Sequence, residues 1–318
     1  MSVYINPYTD FGFKKLFGEE ASKDLLIDFL NSILPKHHQI AELNFQNVEN
    51  LPDTNVERKA FFDIHCRASS GERFIVEMQK AEVKFFKDRS IYYITFPIRD
   101  QAQRGEWNFE LKAIYFIAIL DFFYEEDKNN AKFFRQIDLK DQNNEVFYDK
   151  LQMYYLQMPA FNKKSHELGN RFEKWAYFLK NLETLDKIPQ ILNEPIFERA
   201  FGTAMLANLN PEQAQEYEHS RLNYIGIREV IRTAEDKGIA KGIAEGEARG
   251  RAEGREEGRA EGEAKGRAEG EAKAKAEAEQ KAQKTIIALH NNGVPIPIIV
   301  LSVDKTEAEV RAIIAESK

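Results

Sequence analysis

Residues 61–79, FFDIHCRASSGERFIVEMQ, are two short apolar runs broken by Ser69, Ser70 and Gly71. Both runs alternate with a period of two, the mark of a half-buried strand, and the small residues between them mark a tight turn. Phe62, Ile64 and Cys66 then share one face of the first strand, and Phe61, Asp63 and His65 share the other. On the second strand Phe74, Val76 and Met78 point one way, and Ile75, Glu77 and Gln79 point the opposite way. A three-residue loop at 69–71 with Gly71 in the left-handed position fixes the register so that opposed residue numbers sum to 140. Asp63 then faces Glu77, and Gln79 lies one pleat further on. Two carboxylates so placed repel each other unless a cation sits between them, and oxygen ligands of this kind are how Mg²⁺ is commonly held.

The trio resembles the signature of the PD-(D/E)XK nuclease superfamily, an Asp followed on the next strand by Glu-x-Lys, here Asp63, Glu77 and Gln79. Gln in place of Lys is similar to the form found in its Rpn-type branch, the recombination-promoting nucleases also described as PD-(D/E)XK family transposases. Residues 10–18, DFGFKKLFG, resemble the opening of that branch, and Arg89, Tyr92, Tyr93, Gln101 and Gly105 resemble the segment after its catalytic strand. The resemblance implies an α/β, restriction-endonuclease-like core: a mixed sheet flanked by helices. It implies a metal-dependent DNA endonuclease using Mg²⁺ or another divalent metal. Asp63, Glu77 and the main-chain carbonyl of Met78 would be ligands, and Gln79 would orient the attacking water. Asp10, Lys14, Arg89, Tyr92 and Gln101 are auxiliary candidates. His65 is a further proton-transfer candidate, against the plainer reading of a structural imidazole.

At 318 residues and 43% hydrophobic composition the chain is long enough for a full core and about two domains. No run approaches the roughly 18 apolar residues of a membrane span, and the N-terminal residues lack a signal-peptide layout. The single cysteine, Cys66, excludes an internal disulfide and a Cys-based zinc site. A cytoplasmic location is expected, with no membrane partner. The net charge of −7 argues against coating nucleic acid through bulk electrostatics, but leaves room for a local basic track.

Along the chain, residues 9–34 read as a turn followed by a helix with Ser22 as N-cap and Pro35 as its stop. Residues 40–50 read as a first strand. Residues 80–105 read as a helix kinked near Pro97, with Lys80, Lys84, Lys87 and Arg89 as candidates for a phosphate path. Residues 112–123 read as a strand buried on both faces. Two more strands follow, with a turn at 142–144, and then helices from about 168. Trp175 reads as core.

Glycine recurs at every fourth position from Gly238 to Gly270 among Ala, Glu, Lys and Arg. Acid-before-base pairs such as Glu245 with Arg249, Glu261 with Lys265 and Glu277 with Lys281 favour a solvated helix. Each glycine opposes it by roughly 0.8–1 kcal/mol against alanine. A spacer or partly helical stalk is the expected form. In the tail, Asn292-Gly293 reads as a helix stop and Thr306 with Glu309 as a capping box. The expected division is a nuclease core at 1–160, a helical extension at 161–237, the Gly-rich charged stalk at 238–280 and a small helical module at 281–318. The C-terminal helical region is the candidate surface for homo-oligomerisation.

Two functions follow from these residues. One is a DNA endonuclease; the other is a catalytically weak or inactive nuclease fold acting as a DNA-binding or assembly protein. Gln79 motivates the second, and the intact acidic pair favours the first.

Overall fold

The hairpin forms as β1 is joined by two longer strands: β1 (Leu43–Phe45), β2 (Ile64–Ala68) and β3 (Arg73–Gln79). The computed structural model describes residues 2–46, 63–103, 105–124 and 132–317. Phe61, Phe62 and the end of the expected first strand, 47–50, lie outside the described residues. In the hairpin Ile64 pairs with Val76, His65 with Ile75 and Cys66 with Phe74, the register expected from the loop length. Gly71 takes φ +108°, and its N–H donates to the Ala68 carbonyl at 2.9 Å. A left-handed residue is needed there, so glycine is selected.

Among the described residues the sheet has six strands in the order β1-β2-β3-β4-β6-β5. β4 (Ile114–Leu120) runs parallel to β3, and β6 (Val146–Gln157) runs parallel to β4. β5 (Phe134–Lys140) pairs antiparallel with β6, and β1 antiparallel with β2. Two adjacent parallel strands need a crossover. α3 (Phe86–Arg99) supplies it between β3 and β4. β4 is buried along its whole length, as its unbroken apolar run implies. Tyr115, Ile117 and Ile119 face the larger core, with Phe74, Val76 and Met78. Phe116, Ala118 and Leu120 face the other, with Ile75 and with Phe86 and Ile94 of α3.

The N-terminal segment departs from expectation. Residues 10–17 are helix, not turn: α1 (Asp10–Phe17), capped by Thr9, whose hydroxyl accepts from Gly12 N–H at 2.9 Å. A Cβ on Gly12 would lie 2.1 Å from the Asn6 carbonyl oxygen, so only glycine fits that approach. α2 (Lys23–Ile33) follows Ser22, but the Ser22 hydroxyl does not cap it. It donates to the Lys15 carbonyl at 3.0 Å, drawn off by the preceding helix. α3 begins at Phe86, later than expected, because Phe85 stands at φ +64° and interrupts helical geometry. Pro97 lies in its last turn, and the helix runs through it to Arg99.

The larger unit, Met1–Ala234, is completed by helices against the first core face. α4 (Arg171–Asn181) buries Trp175, whose indole N–H donates to Asp28 Oδ1 at 2.7 Å. α5 (Pro195–Ala204) buries Phe197 and Phe201. The opening turns of α6 (Pro211–Asn291) dock by side chains spaced three and four apart, one face of a helix. Tyr217 Oη accepts from Asn6 N–H at 2.9 Å, Ser220 Oγ accepts from Phe11 N–H at 3.1 Å, and Tyr224 Oη donates to Asp121 Oδ2 at 2.6 Å.

In the second unit, Glu235–Lys318, the glycine array is α-helical, and a Cβ on any glycine from Gly238 to Gly270 would meet nothing within 4 Å. Its ion pairs are not the three expected from acid-before-base order. They run Lys241–Glu245, Arg259–Glu263, Lys265–Glu269 and Arg267–Glu271, base first, with Arg251–Glu247 in the opposite sense. All are exposed, where such pairs contribute about 0.3–0.5 kcal/mol each. Gly293 takes φ +80° just past the end of α6. α7 (Ile296–Ser302) and α8 (Glu307–Glu316) follow, and Thr306 and Glu309 form the capping box. Ile286, Ile299, Val310 and Ile314 are their small core. Among the described residues no helix is long and apolar enough to cross a membrane.

Candidate active site

Asp63 immediately precedes β2, one step beyond the pair Ile64 and Val76, which brings it to Glu77. Asp63 N–H donates to Glu77 Oε2 at 3.4 Å, and Asp63 Oδ2 accepts from Met78 N–H at 2.7 Å. In an extended strand the N–H and C=O of one residue point to the same edge. The Met78 carbonyl is therefore directed to the edge where Asp63 stands.

Glu77 is buried and Asp63 half-buried, each with like charge nearby, which favours their protonated forms. The Glu77 carboxyl is held well above the ordinary glutamate range, first by burial and then by Asp63, with Arg89 pulling it back. Asp63 is raised by burial, against the Met78 N–H; Asp10 raises it further, and Lys14 and Lys80 lower it.

Arg89 is the cation at the pair. Its Nη2 lies 2.9 Å from Glu77 Oε1 and 2.7 Å from Gln79 Oε1, so one nitrogen bridges both side chains. The guanidinium stacks between Phe86 and Tyr93, at 5.2 and 5.3 Å from the ring centroids. Gln79 Nε2 donates to the Ala81 carbonyl at 3.1 Å, which fixes the amide's orientation. The end of β3 is held by β4's continuation: Asp121 N–H donates to the Gln79 carbonyl at 2.9 Å.

Of the auxiliary candidates, Arg89 is in the site, and Asp10 and Lys14 reach Asp63 through their charges. Asp10 and Lys14 also pair with each other at 3.2 Å, both more than half exposed. Tyr92 is turned away: it meets Phe96 edge-on at 5.0 Å. Tyr93 takes the place beside the pair, and its hydroxyl is raised by burial, with Glu77 and Asp63 adding to that and Arg89 opposing it. The signal for Tyr93 was its spacing, four after Arg89. Gln101 is not brought to the site. Its amide bonds the main chain of Lys112, accepting from Lys112 N–H at 2.7 Å, near the opposite end of β3. Arg73 at that end pairs with Asp100 at 3.0 Å. His65 shares the face of Asp63 but is held neutral by burial and by Arg73, its imidazole lowered to about 4. Cys66 is fully buried on the core face, and burial pushes its thiol up.

Among the described residues no group of three or more His, Cys, Asp or Glu side chains converges. The site's donor set is two carboxylates and main chain, all oxygen, which suits a hard divalent cation and not zinc. A comparison with curated proteins and with solved structures finds no match. Residues 7–234, more than half of the chain and the whole of the sheet with its helices, match the PD-(D/E)XK nuclease family transposase model, and the protein belongs to that family.

Proposed function

We propose that the protein is a divalent-metal-dependent DNA endonuclease. The observation that carries this reading is half-buried Asp63 set against buried Glu77, with Arg89 bonded to both Glu77 and Gln79. A surface that had no use for a metal gains nothing from two opposed carboxylates, one buried and one half-buried, whose ionisation is disfavoured. Asp63, Glu77 and the Met78 carbonyl are the residues that would hold Mg²⁺ or a similar ion. Such a cation polarises a phosphoryl oxygen and offsets charge that develops there.

The chain's own groups divide the remaining work. Arg89 restrains the Glu77 carboxylate and fixes the Gln79 amide, and its spare N–H donors are placed to bond a phosphate. Gln79, locked between Arg89 and Ala81, orients the attacking water through its second amide N–H. Asp10, Lys14 and Lys80 set the field around Asp63. The second reading, an inactive DNA-binding or assembly protein, draws on the same Gln79: both ends of its amide are already engaged.

Cleavage of supercoiled plasmid separates the two. Nicking or linearisation that requires Mg²⁺, stops in EDTA and is lost in Asp63→Ala is the expected result. No cleavage by the native protein under any metal would support the scaffold reading, and cleavage by Asp63→Ala equal to the native protein would refute the site.

A further inference from the structure

Phe85 breaks two habits of its residue type. Its side chain is 66% exposed, and its backbone stands at φ +64° and ψ +31°. A bulky residue rarely adopts that left-handed conformation, and glycine or asparagine would satisfy the turn without strain. The strained residue also sits at a mechanically connected place. Its carbonyl accepts the N–H of Arg89 at 2.9 Å, closing the first turn of α3, and Arg89 bridges Glu77 and Gln79. The exposed ring is thus one helical turn, about 5.4 Å along the axis, from the backbone that carries the clamp.

The surroundings say what such a ring would meet. Lys84 Nζ lies 5.0 Å from the Phe85 ring centroid, and Lys87 Nζ lies 4.9 Å from that of Tyr124. Lys80, at the start of the same loop, is close enough to lower Asp63. A cavity of about 730 Å³ opens here, with Lys84, Phe85, Lys87 and Tyr124 in its lining, together with the acids Glu82 and Asp88. A flat apolar face beside cations is complementary to a nucleobase on its phosphate backbone. A base inside an intact duplex is already stacked on both sides and offers no face to the ring. The occupant that fits is a base whose stacking has been opened.

We propose that Phe85 is a stacking platform for an unpaired base of the substrate, beside the phosphate to be cut, and that it directs the enzyme to DNA with locally separated strands. This rests on the endonuclease reading above and names the substrate class for that site. Phe85 is a positioning residue, and the lysines hold the flanking phosphates.

The test uses the full chain as native protein, Phe85→Gly and Phe85→Trp. Binding to a labelled duplex is measured by anisotropy in Ca²⁺, for a matched duplex and for the same duplex with a three-base mismatched bubble, and each protein is melted. The native protein and Phe85→Trp should bind the bubble about tenfold more tightly than the matched duplex, within the range of one base–aromatic stack. Phe85→Gly should lose that preference while melting at a higher temperature, because the strain is relieved. Retention of the preference by Phe85→Gly, or a lower melting temperature, would overturn the proposal by showing that the ring serves the fold. Equal binding of both duplexes by the native protein, with cleavage intact, would overturn this inference alone; failure to bind either DNA would remove the endonuclease reading as well.

Discussion

Arg89 Nη2 donates to Gln79 Oε1 at 2.7 Å, so the residue standing where the superfamily has a lysine is bonded to a cation supplied by the next helix. At the proposed site the cation bonded to this position is carried by α3 and not by the strand. Gln79→Lys would then set an ammonium against the guanidinium and should cut turnover at least tenfold, about 1.4 kcal/mol in the barrier. Adding Arg89→Gln should recover part of that loss, since one cation is restored. Steady-state cleavage rates of the two single variants and the double variant give the coupling. Additive losses would mean that the two side chains act independently.

Metal addition should be visible without any turnover. In EDTA the like charges of Asp63 and Glu77 are offset by Arg89 on Glu77 and by the Met78 N–H on Asp63, so Mg²⁺ at saturating concentration should raise the melting temperature by several degrees. Asp63→Asn should melt higher than the native protein in EDTA, having lost the repulsion, and should not respond to Mg²⁺. A native-sized Mg²⁺ response in Asp63→Asn would place the ion elsewhere.

The same pair predicts a pH dependence for the metal-free protein. Glu77 is raised in the folded state to about 8, so its contribution to stability is present below the unfolded value and is lost as pH rises through the folded one. His65, lowered to about 4, works in the other direction, losing stability as pH falls below its unfolded value of about 6.5. Between about pH 6.5 and 8.5 the carboxylate dominates, and stability in EDTA should fall with rising pH. Glu77→Gln should flatten that slope in a series of denaturant titrations. An unchanged slope would assign it to another group.

The hairpin was legible because a three-residue loop and a left-handed glycine leave one register, and that register alone brings Asp63 to Glu77. β4 was legible because seven apolar residues in a row suit only a strand covered on both faces. The helical side of the site was not. Which of Tyr92 and Tyr93 faces the carboxylates depends on where α3 starts, and the left-handed Phe85 that sets its phase has no sequence signature. Gln101 was misplaced by reading spacing through a helix: the 14 residues of α3 rise about 20 Å. That carries Gln101 to the far end of β3. Residues 9–34 read as a turn followed by a single helix from Ser22, whereas α1 is a separate helix whose Gly12 closely approaches Asn6.

The glycine array makes a prediction of opposite sign to most glycine substitutions. With nothing near their Cβ positions, Gly254→Ala and Gly258→Ala should each strengthen the helix by about 0.8–1 kcal/mol. Thermal melting followed by circular dichroism at the helix band should shift upward for the helical tract, with plasmid cleavage unchanged. A loss of helix or of cleavage would show that a partner approaches those glycines in solution.

Tyr224→Phe removes the hydroxyl that donates to half-buried Asp121, leaving Arg228 at 3.5 Å as its ion-pair partner, and it should cost about 1 kcal/mol of unfolding free energy. Chemical denaturation of native and variant protein reads the difference directly. A neutral result would show that water replaces the hydroxyl.

The docking of α6 also sets a clock on synthesis. Asn6 and Phe11 are made well before the side chains that take their N–H groups: Tyr217 and Ser220 follow 211 and 209 residues later. At translation rates of about 5–20 residues per second that is a wait of roughly 10–40 s. For most of it, until α4 and α5 have been made, the face of the sheet against which they pack is without its covering helices, and that face is rich in phenylalanine. In the unit Met1–Ala234 the first residues are therefore pinned by the last, and the N-terminal segment gains these hydrogen bonds only once the opening turns of α6 have been made.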